Sequence, residues 1–220
     1  PEVCILGEPT CREVFGEMIK VGRRGSLTAH IAVNGVAGHV AYPETADNPV
    51  HRLVRILDEL LAKKLDPGNA YFPPSTLMLT TVDVGNPATN VVPGQARASL
   101  NIRFSTAQTA EGLERWIAEV VARHAADVEL RFERGAQPFL NPPGAWSDLV
   151  AAAVKDVTGI DAALGTTGGT SDARFIKDYC PVVEYGLCGK TMHSVDESVS
   201  AAEIDSLKQV YMRILERYFA

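Results

Sequence analysis

The chain has 220 residues, of which 46% are hydrophobic and 22% are charged, and its formal net charge is -6 with a pI near 5.4. This composition is typical of a globular protein that buries a sizeable core, and it excludes a disordered chain. The negative net charge argues against binding to nucleic acid or to an anionic membrane, so an anionic substrate would need local arginines.

The spacing of the cysteines fits neither a CxxC pair nor a secreted disulfide framework. They are Cys4, Cys11, Cys180 and Cys188. We therefore expect free thiols in a reducing cytoplasm. The sequence has no apolar run of about 18 residues and no charged leader, which predicts neither a membrane span nor a signal peptide. Because it begins at Pro1 directly on a strand pattern, we expect it to start partway through a longer protein.

Two short strands are predicted near the start of the chain. Residues 3–6 form an apolar run that would deliver Glu8 at its C-terminal end. Ligands of α/β proteins gather at such strand ends, although a solvated turn glutamate is the simpler interpretation. The second strand covers residues 17–22. The paired Arg23 and Arg24 that follow it could bind a carboxylate or form a charged turn.

Residues 35–43 follow a strand predicted over residues 27–34 and carry a histidine between a glycine pair and a tyrosine. The glycines would let the backbone turn sharply and present His39 to a ligand. An imidazole in this position could donate to an oxyanion, act as an acid or base, or bind a metal ion. A turn histidine with a satisfied hydrogen bond is the alternative interpretation.

The middle of the chain follows the order β-α-β-β-α-β, which is typical of a ferredoxin-like domain with one antiparallel sheet and two helices on one face. Asn48 and Pro49 predict the start of the first helix. The predicted strands cover residues 27–34, 75–84, 95–104 and 128–132. Apolar faces are predicted at Val50, Leu53, Val54, Leu57, Leu60 and Leu61 on the first helix, and at Leu113, Trp116, Ile117, Val120 and Val121 on the second.

The segments that flank this domain alternate helix and strand, which predicts part of a second α/β domain with the ferredoxin-like domain inserted into it. Ser147 would cap a helix that ends at Gly159. Short strands are predicted over residues 162–164 and 181–185. Ser200 and Glu203 form a capping-box pattern before the last helix. The predicted apolar stripe of that helix is Ile204, Leu207, Tyr211, Ile214, Leu215 and Tyr218.

Glu8 and His193 each follow a predicted strand, and we expect them at the same edge of the α/β sheet. A carboxylate and an imidazole are compatible with zinc, but a catalytic zinc site usually takes three protein ligands. The remaining ligands are therefore expected upstream of this sequence. His30, His51 and His124 lie in strand or helix patterns and are interpreted as structural or surface residues.

Seven short motifs occur in the order in which they occur in the M20 family of zinc amidohydrolases and peptidases, and the chain resembles that family along its whole length. The motifs are residues 7–10 (GEPT), 22–26 (GRRGS), 35–43, 89–93 (TNVVP), 101–104 (NIRF), 166–172 (TTGGTSD) and the loop with Met192 and His193. The resemblance implies a partial zinc-peptidase-like α/β catalytic domain in residues 1–23 and 136–220. It also implies an inserted ferredoxin-like α+β dimerisation domain in residues 24–135.

Within the family, the segment with His39 and Tyr42 and the TTGGTSD motif point to the enzymes that hydrolyse N-succinyl-LL-2,6-diaminopimelate. The products would be succinate and LL-2,6-diaminopimelate, in lysine and peptidoglycan precursor biosynthesis. The resemblance implies a homodimer, formed through the inserted domain, that acts on this small dicarboxylate substrate. Gly189 departs from the family pattern, in which an asparagine often stands four residues before the metal histidine as a substrate contact.

The resemblance also implies roles for individual residues. Glu8 and His193 would each bind one of two zinc ions per subunit, which cobalt could replace. His39 would stabilise the oxyanion in the active site of the opposite subunit. A metal histidine, a bridging aspartate and a glutamate pair with the general base would lie before this sequence, so the chain alone would be inactive. The implied substrate contacts are Arg103 and the partner subunit's Asn90 for the succinyl end, and Arg23, Tyr42, Gly169 and Thr170 for the diaminopimelate part.

Two alternatives remain open. The chain could belong to another M20 deacylase, such as acetylornithine deacetylase. It could also be a dimerisation or binding module without catalytic activity.

Overall fold

The computed structural model describes residues 1–220 as twelve strands, five α-helices and one 3-10 turn. The strands are β1 (Cys4–Leu6), β2 (Met18–Lys20), β3 (Gly22–Arg23), β4 (Gly25–Asn34), β5 (Gly38–His39), β6 (Thr76–Asp83), β7 (Val91–Val92), β8 (Gln95–Phe104), β9 (Val128–Arg134), β10 (Phe139–Leu140), β11 (Ala163–Gly165) and β12 (Val182–Glu184). The helices are α1 (Pro49–Ala62), α2 (Ala110–His124), α3 (Ala145–Thr158), α4 (Ala173–Ile176) and α5 (Ala201–Phe219). No helix combines the length and apolarity that a membrane crossing requires.

The chain divides into two compact units. The first unit consists of Pro1–Arg24, Ala70–Phe72 and Pro138–Ala220, and the second of Gly25–Asn69 and Pro73–Gln137. The proposed boundaries and roles of a catalytic and a dimerisation domain remain predictions.

The first unit contains a mixed four-stranded sheet in the order β1-β12-β2-β11. β1 runs parallel to β12, with Ile5 opposite Val183, and β11 runs parallel to β2, with Leu164 opposite Ile19. β12 and β2 are antiparallel, and β3 pairs with β10 in a separate two-stranded sheet. The parallel pairing of β1 and β12 brings the C-terminal ends of two widely separated segments to one edge of the sheet.

The core of the first unit lies between its sheet and helices α3 and α5. Its buried members are Cys11, Ile19, Val21, Val150, Ala153, Val154, Val183, Tyr185, Val210 and Ile214. Helix α3 ends at Gly159, which has a φ of 73°, as its glycine predicts. The predicted cap at Ser147 is wrong, because Gly144 is the N-cap and Ser147 lies inside the first turn. There its Oγ accepts the Gly144 N–H at 2.9 Å.

The predicted capping box of α5 does not form. Ser200 is the N-cap but its side chain makes no cap hydrogen bond, and Glu203 Oε2 instead accepts the Cys188 N–H at 3.4 Å. The predicted stripe is also partly wrong, since Ile204 and Leu215 are exposed. Residues at the margin of an apolar stripe face outward when the helix touches its neighbour along a narrow line.

The second unit is a four-stranded antiparallel sheet in the order β6-β8-β4-β9, with α1 and α2 packed on one face. This is the predicted β-α-β-β-α-β arrangement, and the sequence prediction of the ferredoxin-like fold is confirmed. Alternating residues of the central strands form its core, with Leu27 opposite Ile102 and Ala29 opposite Leu100. The period of two places these residues on the helix-covered face.

The start of α1 is as predicted. Asn48 Oδ1 accepts the Val50 N–H at 2.9 Å. Pro49 occupies the first turn, where a residue without a backbone N–H leaves no unpaired donor. The predicted apolar face is partly wrong, because Val54 and Leu61 are exposed. The buried line of the helix is Leu53, Ile56, Leu57 and Leu60.

Candidate active site

The chain after β12 passes directly over Glu8. Glu8 follows β1, is half-buried, and donates its N–H to the Leu6 carbonyl at 3.0 Å. A Cβ atom on Gly186 would lie 2.4 Å from the Glu8 carbonyl oxygen, so only glycine permits this approach. The close packing holds the Glu8 turn against the segment that leads to His193.

The loop that carries His193 continues beside the same turn. The Gly189 N–H donates to the Cys11 carbonyl at 3.0 Å, and a Cβ on Gly189 would lie 3.3 Å from Cβ of Pro9. His193 is exposed, and its N–H donates to Glu197 Oε2 at 3.2 Å. Its φ of 62° is uncommon outside glycine, and such conformations concentrate at functional sites.

Glu8 and His193 are the two metal ligands predicted for this chain. No group of three or more His, Cys, Asp or Glu side chains that could hold a metal ion is present among residues 1–220. Because a catalytic zinc ion usually takes three protein ligands and one open position, the chain alone does not supply a complete site. The assignment of the two ligands remains a prediction.

A cavity of about 520 Å³ lies beside the Glu8 turn. Its lining residues are Pro9, Thr10, Cys11, Arg12, Glu13, Lys20, Thr167, Gly168, Gly189, Lys190 and Met192. The side chains of Arg12 and Lys190 are more than half exposed, and each has a nitrogen 3.9 Å from a carboxylate oxygen of Glu13. With Lys20 included, three cations and one carboxylate line this cavity, although the whole chain is acidic.

Arg23 and Glu184 form a buried ion pair in the same unit. Arg23 Nε donates to Glu184 Oε2 at 2.9 Å, and Nη2 donates to the same carboxylate. Nη1 donates to the carbonyl oxygens of Thr167 at 3.4 Å and Gly169 at 3.1 Å. The Ser171 hydroxyl also donates to Glu184. Each guanidinium nitrogen therefore binds a protein group, and the pair ties β3 and β12 to the loop after β11.

Lys20 lines the cavity and is only 6% exposed. It stands opposite Glu184 in the pairing of β2 and β12, yet that carboxylate is bound by Arg23 and Ser171. Burial lowers the pKa of Lys20 to about 8, and the positive charge of Arg23 adds to the shift. The charges of Glu184 and Glu8 oppose this shift, but neither carboxylate forms an ion pair with the Lys20 ammonium group.

The loop of residues 166–170 covers these two cations. Gly168 has a φ of 98°, and a Cβ there would lie 2.8 Å from Lys20 Nζ and 2.9 Å from Arg23 Nη1. Only glycine fits this conformation and this space. The predicted substrate contacts Gly169 and Thr170 are exposed, and Thr170 Oγ1 accepts a hydrogen bond from the Arg174 guanidinium at 3.2 Å.

In the second unit, the structure brings His39, Tyr42 and Asn90 together. β5 pairs with β7, which places Val91 opposite His39. His39 Nδ1 accepts the Ala41 N–H at 3.1 Å, Asn90 Nδ2 lies 3.5 Å from His39 Nε2, and the rings of His39 and Tyr42 are 5.8 Å apart. All three predicted site residues are exposed.

Arg103 lies far from this group within one chain. It stands near the C-terminal end of β8, opposite Ser26 and Thr76. β8 begins at Gln95, close in sequence to Asn90, and eight residues of extended strand span roughly 27 Å. Arg103 and Asn90 of one chain therefore cannot bind the same end of a small substrate.

Sequence reasoning did not identify three of the residues described above, namely Lys20, Glu184 and Ser171. A signal was present in the first two, because each is a charged residue in a predicted strand of apolar neighbours. Such residues are seldom buried without a specific partner or role. The strand pairing that places Lys20 opposite Glu184 connects positions that are far apart in the sequence.

The sequence also matches known proteins. Residues 21–129 match the peptidase dimerisation domain of the M20 family. The succinyl-diaminopimelate desuccinylase of Cereibacter sphaeroides is 53% identical over 99% of this chain, and that of Paracoccus denitrificans is 52% identical over 100%. Along its whole length the chain is therefore similar to these desuccinylases. It spans 58% of the length of each of these two relatives.

Solved structures of two peptidases share the fold of this chain. The aminopeptidase PepT of Bacillus cereus matches with a TM-score of 0.79 and 15% identity, over 98% of this chain and 57% of the aminopeptidase. A tripeptidase of Staphylococcus aureus matches with a TM-score of 0.73 and 16% identity, over 97% and 55% of the two chains. The predicted α/β fold class is thereby confirmed.

Proposed function

We propose that this chain supplies part of the active site of an amidohydrolase that cleaves N-succinyl-LL-2,6-diaminopimelate to succinate and LL-2,6-diaminopimelate. The main support is the identity of more than half of the residues, along the whole chain, with enzymes named for this reaction. A cation-lined cavity beside the Glu8 turn is consistent with a substrate that carries several carboxylates.

Glu8 and His193 are proposed to contribute one carboxylate and one imidazole to a site for two zinc ions, which cobalt could replace. The chemistry of this pair suits zinc, and the adjacent backbones of the two segments keep them in one region. A metal ion bound there would polarise the scissile carbonyl and lower the pKa of a bound water. A catalytic zinc site built on these two residues would need at least one further protein ligand.

His39 is proposed to donate a hydrogen bond to the tetrahedral oxyanion. Because Nδ1 accepts the Ala41 N–H, a neutral His39 must carry its proton on Nε2. The exposed Nε2–H is therefore free of a strong partner and available as a donor. The loss of one such donor typically costs about 2.7 to 4 kcal/mol in the reaction barrier.

The substrate contacts are proposed to come from two subunits. Arg103 of one subunit and Asn90 of the partner subunit would hold the succinyl end, since the two residues of one chain are too far apart. Tyr42, Gly169 and Thr170 would contact the diaminopimelate part. Arg23, predicted as a further contact, already binds Glu184 and two carbonyl groups, so its proposed role is to support the loop.

The second unit is proposed to form the homodimer through the edge strand β6. An unpaired edge favours association when it lacks charges, and charged side chains block it. The other edge strand, β9, carries Glu129, Arg131, Glu133 and Arg134, whereas β6 carries only Asp83, at its end. Met78 and Val82 on β6 are 65% and 56% exposed, as expected for residues that a partner covers.

A chimera tests the reaction. This chain would replace the matching part of the Cereibacter sphaeroides desuccinylase, and hydrolysis of N-succinyl-LL-2,6-diaminopimelate and of N-acetylornithine would be measured. We expect activity on the first substrate only, and its loss in the Glu8→Gln chimera. A preference for N-acetylornithine would favour another M20 deacylase. A folded chimera that is inactive on both would favour a non-catalytic module.

The cytoplasm is the proposed location, because the four cysteines are free thiols.

A further inference from the structure

The cavity beside the Glu8 turn is lined by a lysine ammonium group that forms no ion pair with the protein, although the charges of Glu184 and Glu8 act on it from a distance. Lys20 and Arg23 are both buried, and Glu184 is the buried carboxylate next to them. Arg23 and Ser171 occupy the oxygens of that carboxylate, which leaves the Lys20 ammonium without an ion pair. A buried, unpaired charge is strongly unfavourable, so its retention indicates a role outside folding stability.

The protein directs this charge at the cavity. Lys20 is one of the lining residues, together with Thr167 and Gly168 of the covering loop. Gly168 lies against the end of the Lys20 side chain, and its φ of 98° requires glycine at this position. The loop therefore packs against the ammonium group on one side, while the cavity leaves another side open to a ligand.

The charges also select the class of ligand. Four cations surround the cavity, and three carboxylates offset them, which leaves one net positive charge. The cations are Arg12, Lys20, Arg23 and Lys190, and the carboxylates are Glu8, Glu13 and Glu184. A single carboxylate neutralises the buried charge, whereas a phosphate dianion would leave an excess negative charge in a buried position. An ammonium group donates up to three hydrogen bonds and can bind a carboxylate without a second cation.

We propose that Lys20, rather than Arg23, binds a carboxylate of the amino-acid half of the substrate. This assignment rests on the proposed function, because that function supplies diaminopimelate as the occupant of the site. Lys20 adjoins Thr167 and Gly168, and the same loop carries the proposed diaminopimelate contacts Gly169 and Thr170. The guanidinium of Arg23 holds the loop in place and the ammonium of Lys20 receives the ligand.

A binding experiment with the full 220-residue chain tests the proposal. The chain would be labelled with ¹³C-lysine and titrated separately with LL-2,6-diaminopimelate, succinate and pimelate. The Lys20 Cε signal is assigned by its absence in Lys20→Met. We expect LL-2,6-diaminopimelate to shift this signal, and Lys20→Met to weaken its binding at least about tenfold, because a charge-assisted hydrogen bond is lost. The exposed Lys208→Met variant is the matched control and should bind as the parent chain does.

Three results would decide against the assignment: no shift of the Lys20 signal with any of the compounds, equal affinity in the Lys20→Met variant, or dependence on Lys20 for succinate alone. Equal binding of pimelate and LL-2,6-diaminopimelate, both dependent on Lys20, would support the carboxylate site and count against the proposed substrate. Thermal unfolding of each variant checks that the folded state is retained.

Discussion

At the residue scale, Lys20 lowers the stability of the fold because its charge is buried without a partner. Its pKa falls from 10.5 to about 8, so the unfolded chain binds more protons between these values and stability rises with pH across that interval. We expect Lys20→Met to raise the free energy of unfolding at neutral pH by roughly 3 kcal/mol. The gain should shrink as the pH rises from about 8 to 10.5. Urea unfolding at several pH values measures this gain. The control variant Lys208→Met should have nearly the same free energy of unfolding as the parent chain. A Lys20→Met variant less stable than its parent at pH 7 would contradict the argument.

For the ion pair of Arg23 and Glu184, we expect a substitution to lower the stability of the fold. Glu184→Gln removes the charge that compensates a buried guanidinium, and we expect a loss of about 3 kcal/mol or more in the free energy of unfolding. The matched control is Glu59→Gln, since Glu59 binds Arg123 and His124 at the surface, where solvent screens the charges and the loss should be much smaller. Denaturant unfolding of both variants at pH 7 compares them. Equal losses in the two variants would mean that the buried ion pair contributes no more to stability than the surface ion pair does.

At the scale of elements, the hydrophobic period predicted the helices and strands better than it predicted their ends and margins. The alternation in β4 and β8 specifies both strands and the buried face. The ends of helices depend instead on which backbone donors are hydrogen-bonded by nearby side chains. Glu203 accepts a hydrogen bond from the Cys188 N–H and does not form the predicted capping box at the start of α5. The position of Lys20 opposite Glu184 arises from the register of β2 and β12, which no local pattern encodes.

The edge strand β6 gives a prediction at the same scale. Val82→Lys places a charge on the proposed dimer edge. We expect the dissociation constant of the dimer to rise at least about tenfold, since a charge on an edge strand blocks strand pairing. Val54→Lys is a matched control, because Val54 is exposed on α1 to nearly the same extent, 57% against 56%. Analytical ultracentrifugation of the two variants compares their dissociation. A dimer disrupted by Val54→Lys and not by Val82→Lys would place the interface on the helices.

At the scale of the whole molecule, the proposed roles of Arg103 and Asn90 predict an active site that draws on two subunits, because the two residues of one chain lie far apart. We therefore expect two inactive chimeras, His39→Ala and Glu8→Gln, to regain activity when their subunits are mixed. In a mixed dimer, the His39→Ala subunit keeps Glu8 and His193 and receives an intact His39 from its partner. If subunits exchange freely, half of the dimers are mixed and each has one complete site, so about a quarter of the parent activity should return.

The control for this experiment is a mixture of Glu8→Gln with His193→Ala. Both substitutions fall in the same proposed metal site, but on different chains of the mixed dimer, so neither subunit then holds a complete ligand set and activity should not return. Native mass spectrometry would verify that mixed dimers form. If they form and the His39→Ala and Glu8→Gln mixture stays inactive, His39 acts within its own subunit, and the two-subunit site must be abandoned.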